Sequence, residues 1–219
     1  MNYISELYSF LEELDRNNNR EWFNAHKEEY LTLRAVWDRD IAVLRETMSA
    51  WDPEFLRQPL KDCSYRIYRD IRFSNDKTPY KTYFSAAFSP YGRKTLRAAY
   101  YFEIGLRDSC VYGGIWHATP EMVRKIRRAI SDNSEEFAEI MEEIEGTFSV
   151  VGERLKTAPK GFSPDDPMID YLKVKQIGLY SPLGRKELES ADNWVETVSE
   201  RFRMLKKFTD FINYSIDEE

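Results

Sequence analysis

The stretch RIYRDIRFSNDKTPYK, from Arg66 to Lys81, places five cationic side chains, two aspartates and three aromatics within sixteen residues. Counted from Lys61 to Lys81, six cations (Lys61, Arg66, Arg69, Arg72, Lys77, Lys81) face three anions (Asp62, Asp70, Asp76). The window therefore carries +3 in a chain whose formal net charge is -6. Two arrangements can hold such a concentration of charge: an anionic ligand, or the chain's own carboxylates. If residues 66 to 73 run extended, Arg66, Tyr68, Asp70 and Arg72 share one face and Ile67, Arg69, Ile71 and Phe73 the other. The planar guanidinium fork suits bidentate recognition of phosphate or carboxylate, and Lys77 and Lys81 can close around the ligand beside Tyr80. Arg69 points with the apolar set and needs a carboxylate or carbonyl partner there, because an unpaired buried charge costs several kcal/mol.

Asp70 and Asp76 admit a second chemistry. They can serve as hard-oxygen ligands or as a general base in phosphoester hydrolysis, with the arginines stabilising developing charge. Interleaved with four cations, they read rather as ion-pair partners, and no metal site is assigned. His117 is a further candidate acid or base. It follows Gly113-Gly114-Ile115-Trp116, where glycine permits close backbone approach, and precedes a helix start whose free N–H groups attract anions. His26 falls on an apolar helical stripe and reads as a core histidine with one hydrogen-bond partner. There is no GxxxxGK[ST], GxGxxG, HExxH or GxSxG pattern, so the P-loop, dinucleotide, zincin and α/β-hydrolase classes lack their marks. No cofactor is named by the sequence.

These residues must be positioned by a core, and 219 residues with 42% hydrophobic and 15% aromatic content can supply one. Net acidity argues against a duplex nucleic-acid binder, which needs a broad basic surface. Cys63 and Cys110 stand apart without metal-ligand spacing, which predicts free thiols and a cytoplasmic location. No secretory leader pattern and no run of eighteen apolar residues is present, so no membrane association is expected.

Ile4, Leu7, Tyr8, Leu11 and Leu14 recur at helical spacing and predict a first helix, ended by Asn17-Asn18-Asn19. Asn19 can cap a second helix carrying Trp22, His26, Tyr30, Leu33, Trp37, Ile41, Leu44 and Met48, which would run unbroken to Pro53. Short β-rich runs follow at Tyr65–Tyr68, Thr82–Ser89, Ala98–Leu106 and Cys110–Trp116, separated by turn residues, and predict an antiparallel meander. Thr119-Pro120-Glu121 is a helix start, with a capping threonine, proline at the first position and an acid in the first turn. A second helical stretch runs from Phe137 to Ile144. The Thr157–Pro167 segment reads as a loop and Val174–Tyr180 as a strand, and a final amphipathic helix carries Trp194 to Ile212.

The pattern R-x-x-R-D-x-R-F-S-x-D-K-x-P-Y-K at Arg66–Lys81, with NNNREWF at Asn17–Phe23, resembles the domain-of-unknown-function family numbered 2461, uncharacterised bacterial and fungal proteins. The Gly113-Gly114 pair ahead of Pro120 and the Pro159-Lys160-Gly161-Phe162 loop extend the resemblance over nearly the whole chain. It implies a compact single-domain α+β protein and carries no catalytic roles.

The reading is one α+β domain over residues 1–219, an antiparallel or mixed sheet packed against several amphipathic helices. Its expected function is to bind a phosphorylated or carboxylated small molecule through Arg66, Arg69, Arg72, Lys77, Tyr80 and Lys81. In an enzymatic version Asp70, Asp76 or His117 takes part in phosphoester hydrolysis. The alternative is an interaction module that docks an acidic protein partner, with the basic motif as a structural salt-bridge lattice.

Overall fold

The computed structural model describes residues 3–92, 94–190 and 193–217. Helix α1 (Tyr3–Arg16) turns Ile4, Leu7, Tyr8, Phe10, Leu11 and Leu14 into the core. Each of the three asparagines that follow has a separate task. Asn17 donates its side-chain amide to the Glu13 carbonyl and so ends α1 (3.0 Å). Asn18 holds the backbone of Tyr80, donating to its carbonyl (3.0 Å) and accepting from its N–H (3.1 Å). Asn19 accepts from the Trp22 N–H (2.9 Å) and caps α2 (Arg20–Ala25).

The single rod expected from Asn19 onward is broken at His26, which separates α2 from α3 (Lys27–Ser49). The His26 backbone leaves helical geometry (φ -107°, ψ 18°). Its imidazole Nδ1–H donates to the Trp22 carbonyl (2.9 Å), and the ring stacks on the indole at 4.0 Å. His26 is thus a half-buried hinge residue instead of a core histidine. The 23 residues of α3 span about 35 Å at 1.5 Å per residue. Tyr30, Leu33, Trp37, Ile41, Leu44 and Met48 form its buried stripe.

Strands β1 (Tyr83–Phe88), β2 (Ala99–Gly105), β3 (Cys110–Gly114), β4 (Ser149–Val151) and β5 (Gly178–Pro182) form one sheet in the order β1-β2-β3-β5-β4. Every neighbouring pair is antiparallel. The first three strands are the expected meander. The last begins at Gly178 and not at Val174, which instead makes an isolated bridge with Arg154. Tyr65–Tyr68 forms no strand. The chain from Cys63 to Tyr65 runs along the outer edge of β1, where Tyr65 N–H donates to the Ser85 carbonyl and Ala87 N–H to the Cys63 carbonyl (both 2.9 Å), and Tyr68 bridges to Tyr80. Helix α3 secures this segment: Arg34 donates to the Tyr65 carbonyl (2.8 Å) and Ser64 to Asp38 (2.9 Å).

Thr119 caps α4 (Pro120–Asp132), and α5 (Ser134–Glu143) follows. Short helices α6 (Ile169–Leu172) and α7 (Arg185–Ser190) flank β5. The expected final helix is two, α8 (Trp194–Met204) and α9 (Lys206–Asp217). They part at the fully buried Leu205, which fills the space above Gly113: a Cβ on that glycine would lie 2.8 Å from the leucine Cδ1.

Strand alternation gives the sheet two faces. One carries Phe84, Phe88, Phe102, Ile104, Val111 and Leu179 into the core. There Trp37 and Trp194 stack on Phe102 at 5.6 and 5.0 Å, joining α3 and α8 to the middle of the sheet. The other face carries Tyr83, Ser85 and Ala87 from β1, Ala99, Tyr101 and Glu103 from β2, and Cys110, Tyr112 and Gly114 from β3.

Trp37→Ala should remove about 3–5 kcal/mol of stability in urea unfolding, because the fully buried indole leaves a cavity under the sheet. Phe73→Ala, at a side chain 95% exposed, should change stability by no more than about 0.5 kcal/mol.

Candidate functional site

The cations of the Arg66–Lys81 motif do not gather around one cavity. Alternation holds from Arg66 to Arg72, with Ile67 buried and Arg69 and Ile71 half-buried between exposed neighbours, and fails at Phe73, which stands in solvent. Arg69 turns into its own loop. It reaches Asp76 (2.5 Å), the Thr78 hydroxyl and the Thr78 carbonyl (3.2 Å). Asp76 also accepts from the Thr78 N–H (2.9 Å) and hydroxyl (2.8 Å). Arg72 takes Asp70 through two bonds, 2.9 Å from Nε and 2.6 Å from Nη2, at an exposed position. Lys77 donates to the Ile71 carbonyl (3.0 Å). Exposed Arg66 lies close enough to Asp70 to favour its charged form. Tyr80 is buried, stacked on Phe23 at 4.0 Å and tied through its backbone to Asn18.

These contacts lower both carboxyl groups to about 2. For Asp70 the largest cause is the Arg72 side chain; for Asp76 it is the Thr78 N–H, followed by the Thr78 hydroxyl and Arg69. Arg69, Asp76 and Thr78 brace the loop from within.

Of the motif residues, Lys81 faces a cleft of about 530 Å³ on the second face of the sheet. Its floor is made of small side chains, Ser85, Ala87, Ser89 and Ala99, together with Gly114. One wall holds Tyr65 and Tyr83, between whose rings the Lys81 ammonium lies at 5.2 and 5.3 Å from the centroids. The opposite wall holds Tyr101, Tyr112 and Trp116. The Trp116 indole is 62% exposed, meeting Tyr112 edge-on at 5.1 Å and Tyr101 at 5.9 Å. The β1–β2 connection closes a third side with Lys94 and Arg97, and His117 stands at the rim. Arg97 is already held by Asp217 (2.5 and 2.7 Å), whereas Lys94 and His117 are exposed.

Glycine makes room for this wall. Gly114 (φ +145°) pairs with Gly178 across β3 and β5, and a Cβ on Gly178 would lie 2.0 Å from the Tyr112 hydroxyl. The ring therefore lies flat over the neighbouring strand. Burial raises Tyr112 to about 12. Behind the wall Tyr101 donates to Glu103, which does not itself line the cleft, and burial raises both groups above their usual values. Cys110 beside them is pushed to about 12 by burial, then by Glu103 and Asp108.

The motif thus contributes one cleft residue, Lys81, and the histidine named from its glycine-rich approach contributes a second. Tyr65, Tyr83, Lys94, Tyr101, Glu103, Tyr112 and Trp116 were not singled out from sequence. Their signal lies in β1, where Tyr83, Ser85 and Ala87 alternate with Phe84, Ala86 and Phe88: a row of small residues opposite a row dominated by rings marks space on one face.

The family described as conserved hypothetical protein (DUF2461) matches residues 6–211. Comparison with curated proteins finds no match. No helix among the described residues is long and apolar enough to cross a membrane.

Two outcomes test this geometry. A carboxyl group lowered by its folded partners contributes stability above its ordinary 3.8, and this contribution is lost as pH falls towards about 2. NMR titration should place the Asp70 and Asp76 midpoints near 2, and Arg72→Ala should return Asp70 towards 3.8 while leaving Asp76 in place. Gly178→Ala should cost about 1–3 kcal/mol by driving the Tyr112 ring off the strand. The same change should cost less in a Tyr112→Ala background, as expected for residues that share one contact.

Proposed function

We propose that this chain, which belongs to the DUF2461 family of conserved hypothetical proteins, binds a small phosphorylated or carboxylated molecule with a planar or apolar body in the cleft on its sheet. One observation carries the reading. In a protein of net charge -6, the described residues lining its most aromatic concavity include Lys81, Lys94, Arg97 and His117 and no aspartate or glutamate. The volume of about 530 Å³ falls in the range of small-molecule sites, which are commonly apolar with a few placed polar groups. The exposed face of Trp116 offers a stacking surface, the small-residue floor admits a flat body, Lys94 supplies charge at the mouth and His117 a ring N–H for hydrogen bonding. The anion site expected at the arginines moves accordingly to Lys81 and its neighbours. Asp70 and Asp76 are committed to Arg72, Arg69 and Thr78, so a base for phosphoester hydrolysis is better sought at His117.

The second reading, docking of an acidic protein partner, draws support from a different observation. Phe73 is 95% exposed on a braced loop and is flanked by Arg72, with Arg66 exposed nearby in sequence. Aromatic and arginine side chains dominate interface hot spots.

Thermal melts with millimolar phosphate, adenosine monophosphate and 3-phenylpropanoate separate the two. A ligand that binds the folded state alone stabilises it by RT ln(1 + [L]/Kd), about 2.7 kcal/mol at a hundredfold excess over Kd. A ligand combining a ring with an acid should raise Tm, and inorganic phosphate should do so less. Trp116→Ala and Lys94→Glu should each abolish the shift, and Arg72→Ala should leave it intact. If Arg72→Ala removes the shift and Trp116→Ala does not, the arginine loop is the site and the cleft reading fails.

A further inference from the structure

The cleft does not stand alone on its face of the sheet. A second concavity, of about 330 Å³, adjoins it, and Tyr112 and Trp116 belong to the lining of both. The sheet register explains why the two meet. Ala99 pairs with Gly114, Gly114 with Gly178 and Gly178 with Val151, so a row of small residues crosses from β2 through β3 and β5 to β4. The Tyr112 ring lies over Gly178 in that row and is a surface the two concavities share. From β1 to β4 the sheet spans four strand spacings, about 19 Å, which is more than one ring and its acid need. The far end is built differently from the cleft. Glu153 and Lys175 line it and pair with each other (2.6 Å), so it carries no net charge. Gln176 lines it too, at an exposed position. Gly152 (φ +132°) lets the chain after β4 close against this residue, since a Cβ there would lie 2.7 Å from the Gln176 carbonyl oxygen.

Within the cleft reading above, on which this inference rests, we propose that the ligand is a phosphorylated dinucleotide, with its first nucleotide in the cleft, its phosphates directed to Lys94 and its second base in the adjoining concavity, where it stacks on Trp116 and meets Gln176 at its edge. A second acid does not suit that concavity, because it would meet Glu153 as readily as Lys175. A nucleobase does suit it. The base is flat and neutral and carries donors and acceptors along its rim, and unpaired bases are held by stacking on aromatic side chains and by hydrogen bonds to their edges. Trp116, 62% exposed, supplies the ring. The Gln176 amide supplies a donor and an acceptor side by side, the pattern that matches N7 and the N6 amino group of adenine. A volume of about 330 Å³ lies at the lower end of the range for small-molecule sites and is compatible with one base, while the larger cleft keeps the first nucleotide.

The probes are 5′-phosphorylated diadenosine and adenosine 3′,5′-bisphosphate, which has the second phosphate without the second base, each titrated by calorimetry into the full chain. The dinucleotide should bind about tenfold more tightly than the bisphosphate. Gln176→Ala, at an exposed position, should weaken the dinucleotide about fivefold and leave the bisphosphate unchanged. Equal binding of the two compounds to the unsubstituted protein overturns the inference and leaves the anion cleft standing. A dinucleotide advantage that survives Gln176→Ala undiminished also overturns it, because the second base then lies elsewhere. If neither nucleotide binds and 3-phenylpropanoate does, the nucleotide class falls and the cleft reading remains. If none of the three binds, the cleft reading beneath the inference falls with it.

Discussion

Period-two alternation along β1 shapes both the core and the cleft. Phe84, Ala86 and Phe88 face the helices, and Tyr83, Ser85 and Ala87 face the other way. Because successive side chains in a strand point to opposite faces, a slip of one residue would put the phenylalanines in the cleft and small polar groups under Trp37. Burial of the rings against the Trp37, Phe102 and Trp194 stack fixes the register. Once it is fixed, the space on the far side follows, since Ser85 and Ala87 are too short to fill it. The hydrophobic core thus determines where the concavity lies, and the residues that contribute least volume determine its depth.

The basic motif serves this arrangement from the side. The residues just before it, Cys63 to Tyr65, run along the outer edge of β1 and accept Arg34 from α3 at the Tyr65 carbonyl. Its own first residues pair with its last, Arg69 N–H to the Pro79 carbonyl and Lys81 N–H to the Ile67 carbonyl, and the last lead into the strand. Between them the chain makes a loop that must return to the same edge. Arg69 does this work by collecting Asp76, Thr78 and the Thr78 carbonyl at a half-buried position, and Asn18 fixes the return by holding both polar groups of Tyr80. A buried backbone amide and carbonyl need partners, and a side-chain amide that gives one donor and one acceptor satisfies both at once. Arg72 and Asp70 differ in kind. Their pair is exposed, and screening by solvent makes such pairs small contributors to stability.

Much of this architecture was legible in the sequence, and the reasons for success and failure are local. The α1 stripe, the capping of α2 by Asn19, the three-strand meander and the Thr119-Pro120 helix start each rest on contacts between residues close in sequence, which pattern reports well. The breaks at His26 and Leu205 were not visible, because apolar spacing continues through both. His26 is decided by an imidazole that competes for the Trp22 carbonyl, and Leu205 by a glycine far away in the sheet. The cleft was partly legible. Lys81 and His117 were named for their charge and setting, whereas Trp116, Tyr101 and Tyr112 acquire meaning only when the β2–β3 register sets them over a floor supplied by β1. Arg69 was correctly assigned a need for a carboxylate or carbonyl partner, but the identity of that partner depends on how the loop closes.

The same comparison explains how an acidic chain can carry a +3 window without a ligand in it. Guanidinium and ammonium groups at the surface remain largely hydrated, and the two aspartates within the loop meet two of the arginines directly. Within the loop much of this charge goes into bracing, Arg69 with Asp76 and Thr78 and Arg72 with Asp70. The cleft differs: its described lining carries fewer charges, and one of them, Lys81, lies between two tyrosine rings. Glu103 illustrates the contrast with Asp70. Asp70 is exposed, meets a fork-shaped donor and is lowered to about 2, while Glu103 is raised, chiefly by burial and then by Asp108, against the opposing pull of the Tyr101 hydroxyl and Lys81. Two carboxylates of one chain are thus driven in opposite directions by their surroundings, one by a fork-shaped donor in solvent and the other by burial.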